Sequence, residues 1–245
     1  MIFNSIEKHL YTIIILHGMF QTYKDLIPLK TAIQKHNKNM KVILPTAPLR
    51  TISWSTQPLH NISSWYDYYT QKNGLLEHDD INENHFIEQT QRIYKIIDNE
   101  RKSIVAQNII VAGISQGGTI AFNVGLHYKE PLGAIIGIHT IFLNTIIPIE
   151  SIQPPPIYLF SGRKDSIYNI QLQESSLAKL KEKCSIDWHI EDNLNHCEYS
   201  PNELKYIIMA IDKCKGSKGH CPLNEVKYII MAIDKCKGSK GAMPP

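Results

Sequence analysis

No apolar run in this chain approaches the roughly 20 residues that are needed to cross a bilayer, and its mean hydropathy is only -0.21. An integral membrane segment is therefore not expected. The first nine residues also lack the basic stretch and the following apolar stretch of a secretory signal. We therefore expect a cytoplasmic protein.

Cysteine is scarce, with five residues in 245, and no two of them form a CxxC pair. An odd number without paired spacing argues against a disulfide framework and against a zinc site. We expect all five to be reduced thiols. They are Cys184, Cys197, Cys214, Cys221 and Cys236.

Net charge is also small, at +3 over the whole chain. Four lysines against two acidic residues within the last 26 positions account for most of that excess. The nearly neutral remainder lacks the positive surface that nucleic acid requires. Nucleic acid is therefore not expected as a partner.

The sequence does contain a regular alternation of short apolar runs with helical patterns. Between the runs, apolar residues recur at helical spacing, as Phe86, Ile93 and Ile97 do. The runs themselves have the length and composition of buried parallel strands. They cover residues 11–16, 41–44, 108–112, 132–138, 157–161 and 186–191.

This alternation predicts an α/β fold in which helices cover both faces of a mostly parallel central sheet. The length favours one globular domain over two independent enzyme domains. From Arg50 to Tyr69 the periodicity fails. An irregular loop, longer than a usual connection and bordering the functional site, is predicted there.

The strongest motif, Gly113-Ile114-Ser115-Gln116-Gly117-Gly118, follows a predicted strand and opens a predicted helix. Glycines two residues before and two residues after the serine permit the tight strand-to-helix turn called a nucleophile elbow. Such a turn lifts Ser115 above the sheet at a helix N-terminus, where developing negative charge is stabilised. Ser115 is therefore the candidate nucleophile.

A serine nucleophile needs a histidine base and an acid that orients the base, in the chain order Ser, Asp, His for this type of turn. Asp165 follows the strand 157–161, and His196 follows the strand 186–191. Both are expected at one edge of the sheet. The sequence thus predicts a catalytic triad of Ser115, Asp165 and His196.

Three other residues compete for these roles. His17 and His139 also follow strands, but either one as base would break the chain order. For His17, a turn residue bonded to neighbouring backbone is the simpler interpretation. Asp192 is closer to His196 in sequence, whereas Asp165 has a strand end of its own.

A tetrahedral intermediate also needs two backbone N–H donors, one from the residue after the nucleophile and one from a loop after an early strand. Gln116 supplies the first donor. Gly18 follows the first clear strand and lets the chain turn, so that the Met19 N–H can supply the second. The predicted oxyanion hole is therefore formed by Met19 and Gln116.

Four segments in this order resemble the phospholipase/carboxylesterase family of α/β-hydrolases, which includes the acyl-protein thioesterases. The segments are Leu16-His17-Gly18, Pro45-Thr46-Ala47-Pro48 with Ser64-Trp65-Tyr66-Asp67, residues 113–118, and Ser161 to Asp165 with His196. Together they span about residues 10 to 213. The resemblance implies an α/β-hydrolase fold, the same triad and oxyanion hole, and a reaction that needs no cofactor and no metal.

Two segments depart from the family pattern. Residues 54–61 stand where the family usually has a hydrophobic, Met- or Leu-rich segment. His139-Thr140-Ile141-Phe142 stands where the family commonly has a small-residue turn. If the first segment lines an acyl channel, the resemblance does not fix the length of the acyl chain.

The sequence therefore predicts a serine hydrolase that cleaves carboxylic esters or thioesters through an acyl-serine intermediate. The implied substrates are a small-molecule ester, a lipid or an acylated protein, and no oligomeric state is implied. A non-catalytic binding protein on the same scaffold is the alternative, because fold alone does not establish activity. A peptidase is a weaker rival, since nothing in the sequence marks a site for a polypeptide substrate.

Near the C-terminus, residues 202–219 recur as residues 224–241 with one substitution. In the first copy, Ser200 is a candidate N-cap, Pro201 suits the first helical position, and Glu203 suits a capping box. A helix is predicted to start there. Its apolar stripe, suited to packing on the sheet, consists of Leu204, Ile207, Ile208 and Ile211.

The second copy repeats this stripe, but a domain of this size has one groove for a final helix. We therefore expect the first copy to dock and the second to be mobile, loosely attached or available to another subunit. The predicted boundaries are a hydrolase domain over residues 1–219 and a duplicated helical tail over residues 220–245.

Overall fold

The computed structural model describes residues 1–54, 57–72, 77–143 and 154–214. Its strands are β1 (Ile2–Phe3), β2 (Tyr11–Leu16), β3 (Met40–Ile43), β4 (Leu49–Ile52), β5 (Leu59–Ser63), β6 (Ile109–Ile114), β7 (Ala134–Ile138), β8 (Ile157–Gly162) and β9 (Ile186–Glu191). Seven of them form one sheet in the order β1-β3-β2-β6-β7-β8-β9. Within it, β1 is antiparallel to β3 and the other neighbours are parallel.

Alternate residues of each strand point to opposite faces of the sheet, and helices pack on both faces. Ile14 and Val111 belong to the apolar cluster that includes residues of α2, α3 and α4, whereas Ile13 and Ile110 belong to the cluster that includes residues of α1 and α5. The helices are α1 (Ile27–His36), α2 (Glu83–Glu100), α3 (Gln116–His127), α4 (Ile170–Lys181) and α5 (Pro201–Cys214). In the described part of the chain, none has the length and apolar character needed to cross a membrane.

The predicted α/β architecture is confirmed. All six predicted strands of the sheet are present, with ends that differ by at most two residues. Every residue of β7 and β8 is buried. This explains why their sequences are apolar runs and do not alternate between apolar and polar residues.

The prediction of an irregular loop over Arg50 to Tyr69 is wrong in part. Strands β4 and β5 pair antiparallel in this region, with a register shift between Arg50 and Ile52. Only Ile52 and Ser63 of the two strands are buried. The hairpin therefore depends mainly on backbone hydrogen bonds, and its side chains do not show the alternation that would reveal a strand.

The C-terminal helix starts where the sequence predicts, at Pro201, and Ser200 Oγ accepts a hydrogen bond from the Asn202 N–H at 3.1 Å. All four residues of its predicted stripe are buried. Burial of one such aliphatic side chain contributes about 1.5–3 kcal/mol, so this stripe fixes α5 against the sheet.

The predicted capping box does not form in the described residues. The carboxylate of Glu203 lies 3.6 Å from Nε2 of His139 instead, beside the end of β7. The second copy of the repeat, residues 224–241, lies outside the described residues, as does the boundary at residue 219.

Candidate active site

Ser115 sits on a strained turn between β6 and α3, with φ 50° and ψ -120°. A Cβ atom added at Gly113 would overlap the Gly117 carbonyl group. One added at Gly117 would lie 2.5 Å from the carbonyl oxygens of Leu16 and His17. Both glycines are therefore required by close backbone contacts, as expected of a nucleophile elbow.

The neighbouring strand β7 holds this elbow in place. The Ser115 N–H donates a hydrogen bond to the Ile138 carbonyl oxygen at 2.8 Å, and Thr140 Oγ1 donates one to the Ser115 carbonyl oxygen at 2.8 Å. Thr140 also packs so closely on Gly118 that a Cβ there would lie 2.5 Å from its side chain. These contacts balance a backbone strain of about 1–3 kcal/mol.

A continuous chain of hydrogen bonds joins the three predicted triad residues. Ser115 Oγ lies 2.8 Å from His196 Nε2, and His196 Nδ1 lies 2.8 Å from Asp165 Oδ2. The other carboxylate oxygen, Asp165 Oδ1, accepts hydrogen bonds from the Ile167 and Tyr168 N–H groups at 2.9 and 2.7 Å. The carboxylate is wholly buried, so its orientation toward the imidazole is fixed by protein groups alone.

Backbone contacts also join the loop that carries the acid to the loop that carries the base. The Leu194 carbonyl oxygen accepts a hydrogen bond from the Lys164 N–H at 3.0 Å and lies where a Cβ of Gly162 would be. Asn195 Oδ1 accepts hydrogen bonds from the N–H groups of Ser166 and His196 at 3.2 and 2.8 Å. Asp165 and His196 are therefore positioned as a unit.

The structure separates two of the competing residues from the base and acid positions. The buried His17 ring bonds the Gly18 carbonyl oxygen at 2.8 Å and accepts from the Ala47 N–H at 3.0 Å. Asp192 is exposed and pairs with Arg163 at 2.7 Å. His139 lies inside the site, and its ring centroid is 6.0 Å from that of His196.

The two backbone N–H groups predicted for the oxyanion hole both belong to this region. Met19 lines the same cavity as Ser115, and Gln116 directly follows the nucleophile at the start of α3. Within the described residues, neither N–H has a hydrogen-bond acceptor. Both donors are therefore available to a negatively charged oxygen.

The side chain of Gln116 has a separate structural role. Its Oε1 accepts a hydrogen bond from the Trp65 N–H, and its Nε2 donates one to the Tyr66 carbonyl oxygen, both at 2.8 Å. Trp65 Nε1 in turn donates to the His17 carbonyl oxygen at 2.8 Å. These bonds connect the nucleophile elbow, the 64–66 segment and the end of β2.

A cavity of about 470 Å³ opens above Ser115 and His196. Trp54, Gln57 and Leu59 line it, so part of the segment that departs from the family pattern borders the candidate substrate site. Ligand sites for small molecules have volumes of this order. Its lining also includes the apolar residues Leu26, Pro28, Leu29, Ile114 and Ile167.

A cluster of tyrosine hydroxyl groups lies beside this cavity. The Tyr68 hydroxyl lies 3.1 Å from that of Tyr168 and 3.3 Å from that of Tyr66. Burial raises the pKa of Tyr66 to about 12 and raises the pKa values of the other two tyrosines well above the ordinary value. The hydroxyls therefore stay neutral in the physiological range, and the Tyr168 ring packs edge to face on His196 at 5.4 Å.

Sequence reasoning missed several residues of this site. Thr140 is adjacent to a strand end in the sequence, a position that signals the sheet edge but not a bond to Ser115. Nothing in the sequence indicates that Tyr168 packs on His196 or that Glu203 approaches His139, because these contacts join distant parts of the chain.

Comparisons with known proteins agree with this architecture. The sequence profile of a family described as Phospholipase/Carboxylesterase matches residues 1–215. Acyl-protein thioesterase 1 from Cryptococcus neoformans is 29% identical over 189 residues, which cover 73% of this chain and 76% of that protein. Carboxylesterase SOBER1 from Arabidopsis thaliana is 26% identical over 214 residues, covering 84% of this chain and 92% of that one.

Solved structures show the same fold. The crystal structure of Arabidopsis thaliana SOBER1 superposes with a TM-score of 0.72 at 24% identity, covering 84% of this chain and 99% of that chain. The Bacillus cereus carboxylesterase superposes with a TM-score of 0.70 at 16% identity, covering 87% and 93% of the two chains.

Proposed function

The chain belongs to the phospholipase/carboxylesterase family of α/β-hydrolases, and from that premise we propose that it hydrolyses carboxylic esters or thioesters with Ser115, His196 and Asp165 as its catalytic triad. The observation that carries this proposal is the unbroken chain of 2.8 Å contacts from Ser115 Oγ through the imidazole to the Asp165 carboxylate.

In the first half of the reaction, Ser115 Oγ attacks the carbonyl carbon while His196 Nε2 takes the hydroxyl proton. The imidazolium that forms is stabilised by the Asp165 carboxylate, which the N–H groups of Ile167 and Tyr168 hold in position. His196 then gives the proton to the leaving alcohol or thiol. The products are a free leaving group and an acyl ester on Ser115.

In the second half, water repeats these steps on the acyl-Ser115 ester. His196 takes a proton from the attacking water and returns it to Ser115 Oγ as the carboxylic acid departs. In each half, the carbonyl oxygen becomes an oxyanion, for which the N–H groups of Met19 and Gln116 are the proposed donors. Every proton transfer thus uses a residue of this chain or water.

We propose a small-molecule ester, a lipid or an acylated protein as substrate. Acyl-protein thioesterases and a carboxylesterase among the relatives support this range. The cavity supports it as well, since its apolar lining residues suit an acyl chain. A cytoplasmic location agrees with the described cysteines, none of which forms a disulfide.

Labelling with a fluorophosphonate and hydrolysis of p-nitrophenyl acetate test the nucleophile. In the parent protein, Ser115 should be the labelled residue. Ser115→Ala should abolish labelling and lower kcat by about 10⁴ or more, because among the described residues no other hydroxyl is hydrogen-bonded to His196 Nε2. The thermal midpoint should stay close to that of the parent.

Ser103→Ala is the matched control, since Ser103 is exposed and follows α2, away from the cavity. It should keep the parent activity. If Ser115→Ala retained activity within tenfold of the parent, the proposed mechanism would be wrong. An unlabelled and inactive parent protein would favour a binding function on this scaffold.

A further inference from the structure

His139 is a buried histidine that the proposed reaction does not use. It directly follows β7 and has φ 46°, and its backbone N–H donates to the Phe160 carbonyl oxygen at 2.9 Å. Only 2% of the residue is exposed. Within the described chain, neither of its ring nitrogens has a hydrogen-bond partner, so this imidazole needs an explanation.

Each ring nitrogen of His139 faces a carboxylate. Nδ1 lies 3.8 Å from Asp165 Oδ2, and Nε2 lies 3.6 Å from Glu203 Oε2. Both separations are too long for hydrogen bonds but within the range of an ion pair. Both carboxylates are buried with the ring, so water does not screen these charges effectively.

The number of protons on the ring determines how its nitrogens interact with the two carboxylates. A neutral imidazole has one N–H and one lone pair, so one of its nitrogens would direct a lone pair at a carboxylate. With a proton on both nitrogens, each N–H faces an anion. The imidazolium is therefore the form that agrees with two carboxylates on opposite sides of one buried ring.

The other neighbours of the ring add one titratable group. The His196 ring packs on it edge to face at 6.0 Å, and Phe160 of β8 covers it without charge, also at 6.0 Å. His139 and His196 also share an anion, because Asp165 Oδ2 is the oxygen nearest to both Nδ1 atoms. A charge on His139 must therefore act on the protonation of His196.

We propose that His139 is an imidazolium held between Asp165 and Glu203, and that it is a positioning residue which keeps His196 in the neutral form needed for a base. This inference rests on the proposed triad. The His139 cation takes part of the stabilisation that Asp165 would otherwise give to a protonated His196. Without that cation, His196 holds its proton up to a higher pH.

The pH profile of kcat/KM for p-nitrophenyl acetate tests this role, because the profile reports the free enzyme. His139→Asn removes the charge, and asparagine tolerates a positive φ better than most residues. For charges 6.0 Å apart, an effective dielectric constant between 80 and 20 predicts that the acid limb moves upward by about 0.5 to 2 pH units. On the alkaline plateau the variant should still hydrolyse the ester, because Ser115, His196 and Asp165 are all present, so the midpoint of its acid limb can be measured.

His36→Asn is the matched control. His36 pairs with Asp212 of α5 at 2.9 Å, and neither residue lines the catalytic cavity. This variant also removes an imidazole from a carboxylate partner on the same helix as Glu203. Its pH profile should coincide with that of the parent.

The charge state of His139 is tested directly by NMR of the imidazole nitrogens in the whole protein at pH 7. The chain has 11 histidines, so the His139 signal is assigned as the one that disappears in His139→Asn. The parent should show this ring protonated on both nitrogens. Glu203→Gln keeps the shape of the side chain and should make the same ring lose a proton at lower pH. The shifted signal also provides the assignment if His139→Asn does not fold.

A His139 ring with only one proton at pH 7 would overturn the proposal. So would a His139→Asn profile whose midpoint lies within 0.2 pH units of the parent. Failure of the proposed function would give a different result. Ser115 would then not react with the fluorophosphonate, whereas the NMR spectrum would still show the charge of His139.

Discussion

Gln116 offers a test that separates a side-chain role from a backbone role in one residue. Its N–H is a proposed oxyanion donor, whereas its side chain bonds the 64–66 segment. Gln116→Met keeps the N–H and about the same volume but removes the side-chain hydrogen bonds. Stability should fall, and the chemical step should persist.

The expected loss of stability follows from the hydrogen bonds that the Gln116 side chain no longer makes. The Trp65 N–H, which belongs to a wholly buried residue, loses its acceptor, and an orphaned buried donor costs about 1–3 kcal/mol. The Tyr66 carbonyl oxygen loses the bond from Gln116 Nε2 but keeps one from Ser64 Oγ at 2.7 Å. The loss at this oxygen therefore costs about 1 kcal/mol of stability. The sum is about 2–4 kcal/mol. For a chain of this size, that lowers the thermal midpoint by about 4–16 °C.

Thermal unfolding and steady-state hydrolysis at 20 °C measure the two effects separately. Gln89→Met is the matched control, because Gln89 is also buried and, within the described residues, its side chain bonds only the Arg92 guanidinium, at 3.1 Å. The control should lose about 1 kcal/mol or less. A Gln116→Met midpoint equal to that of the control would refute the side-chain argument. A fall in kcat of more than about 100-fold without a loss of stability would place the side chain in the chemistry.

Two further predictions concern α5 and the tail. The hydrogen bond from Lys213, with a smaller contribution from Tyr206, lowers the pKa of Asp187. Since the unfolded value is about 3.9, this stabilisation is complete above about pH 4 and disappears as the pH falls through the lower folded value. Asp187→Asn should therefore reduce the urea midpoint more at pH 7 than at pH 3, and equal losses at both would contradict the ion-pair argument. We also propose that residues 220–245 lie outside the hydrolase domain. A chain ending at Gly219 should then keep its activity and thermal midpoint, one ending before α5 should lose both, and a large loss from the first truncation would show that the domain extends further.

The parts of the site that the sequence predicts are those determined by local geometry. The glycines around Ser115 are required because the turn leaves no room for side chains. The sequence motif and the backbone conformation therefore have the same physical cause. Asp165 and His196 were predictable as candidates because each follows a predicted strand in a fixed chain order. In both cases, a few adjacent residues carry the signal.

The features that the sequence does not predict depend on contacts between distant segments or on backbone pairing alone. The hairpin of β4 and β5 buries only two of its residues, so no apolar pattern marks it. The sequence indicates a helix-cap role for Glu203, but its carboxylate lies near His139, which follows β7, because the docking of α5 determines its surroundings. A local pattern contains no information about either arrangement.

The positive φ angles at Ser115 and His139 have a consequence for how this protein can change. The two residues directly follow adjacent strands, and the turns after β6 and β7 are connected through Ile138 and Thr140. A substitution that relaxes the second turn therefore alters the support of the first. During adaptation to a new substrate, variation in the turn after β7 would thus require compensating changes around the nucleophile.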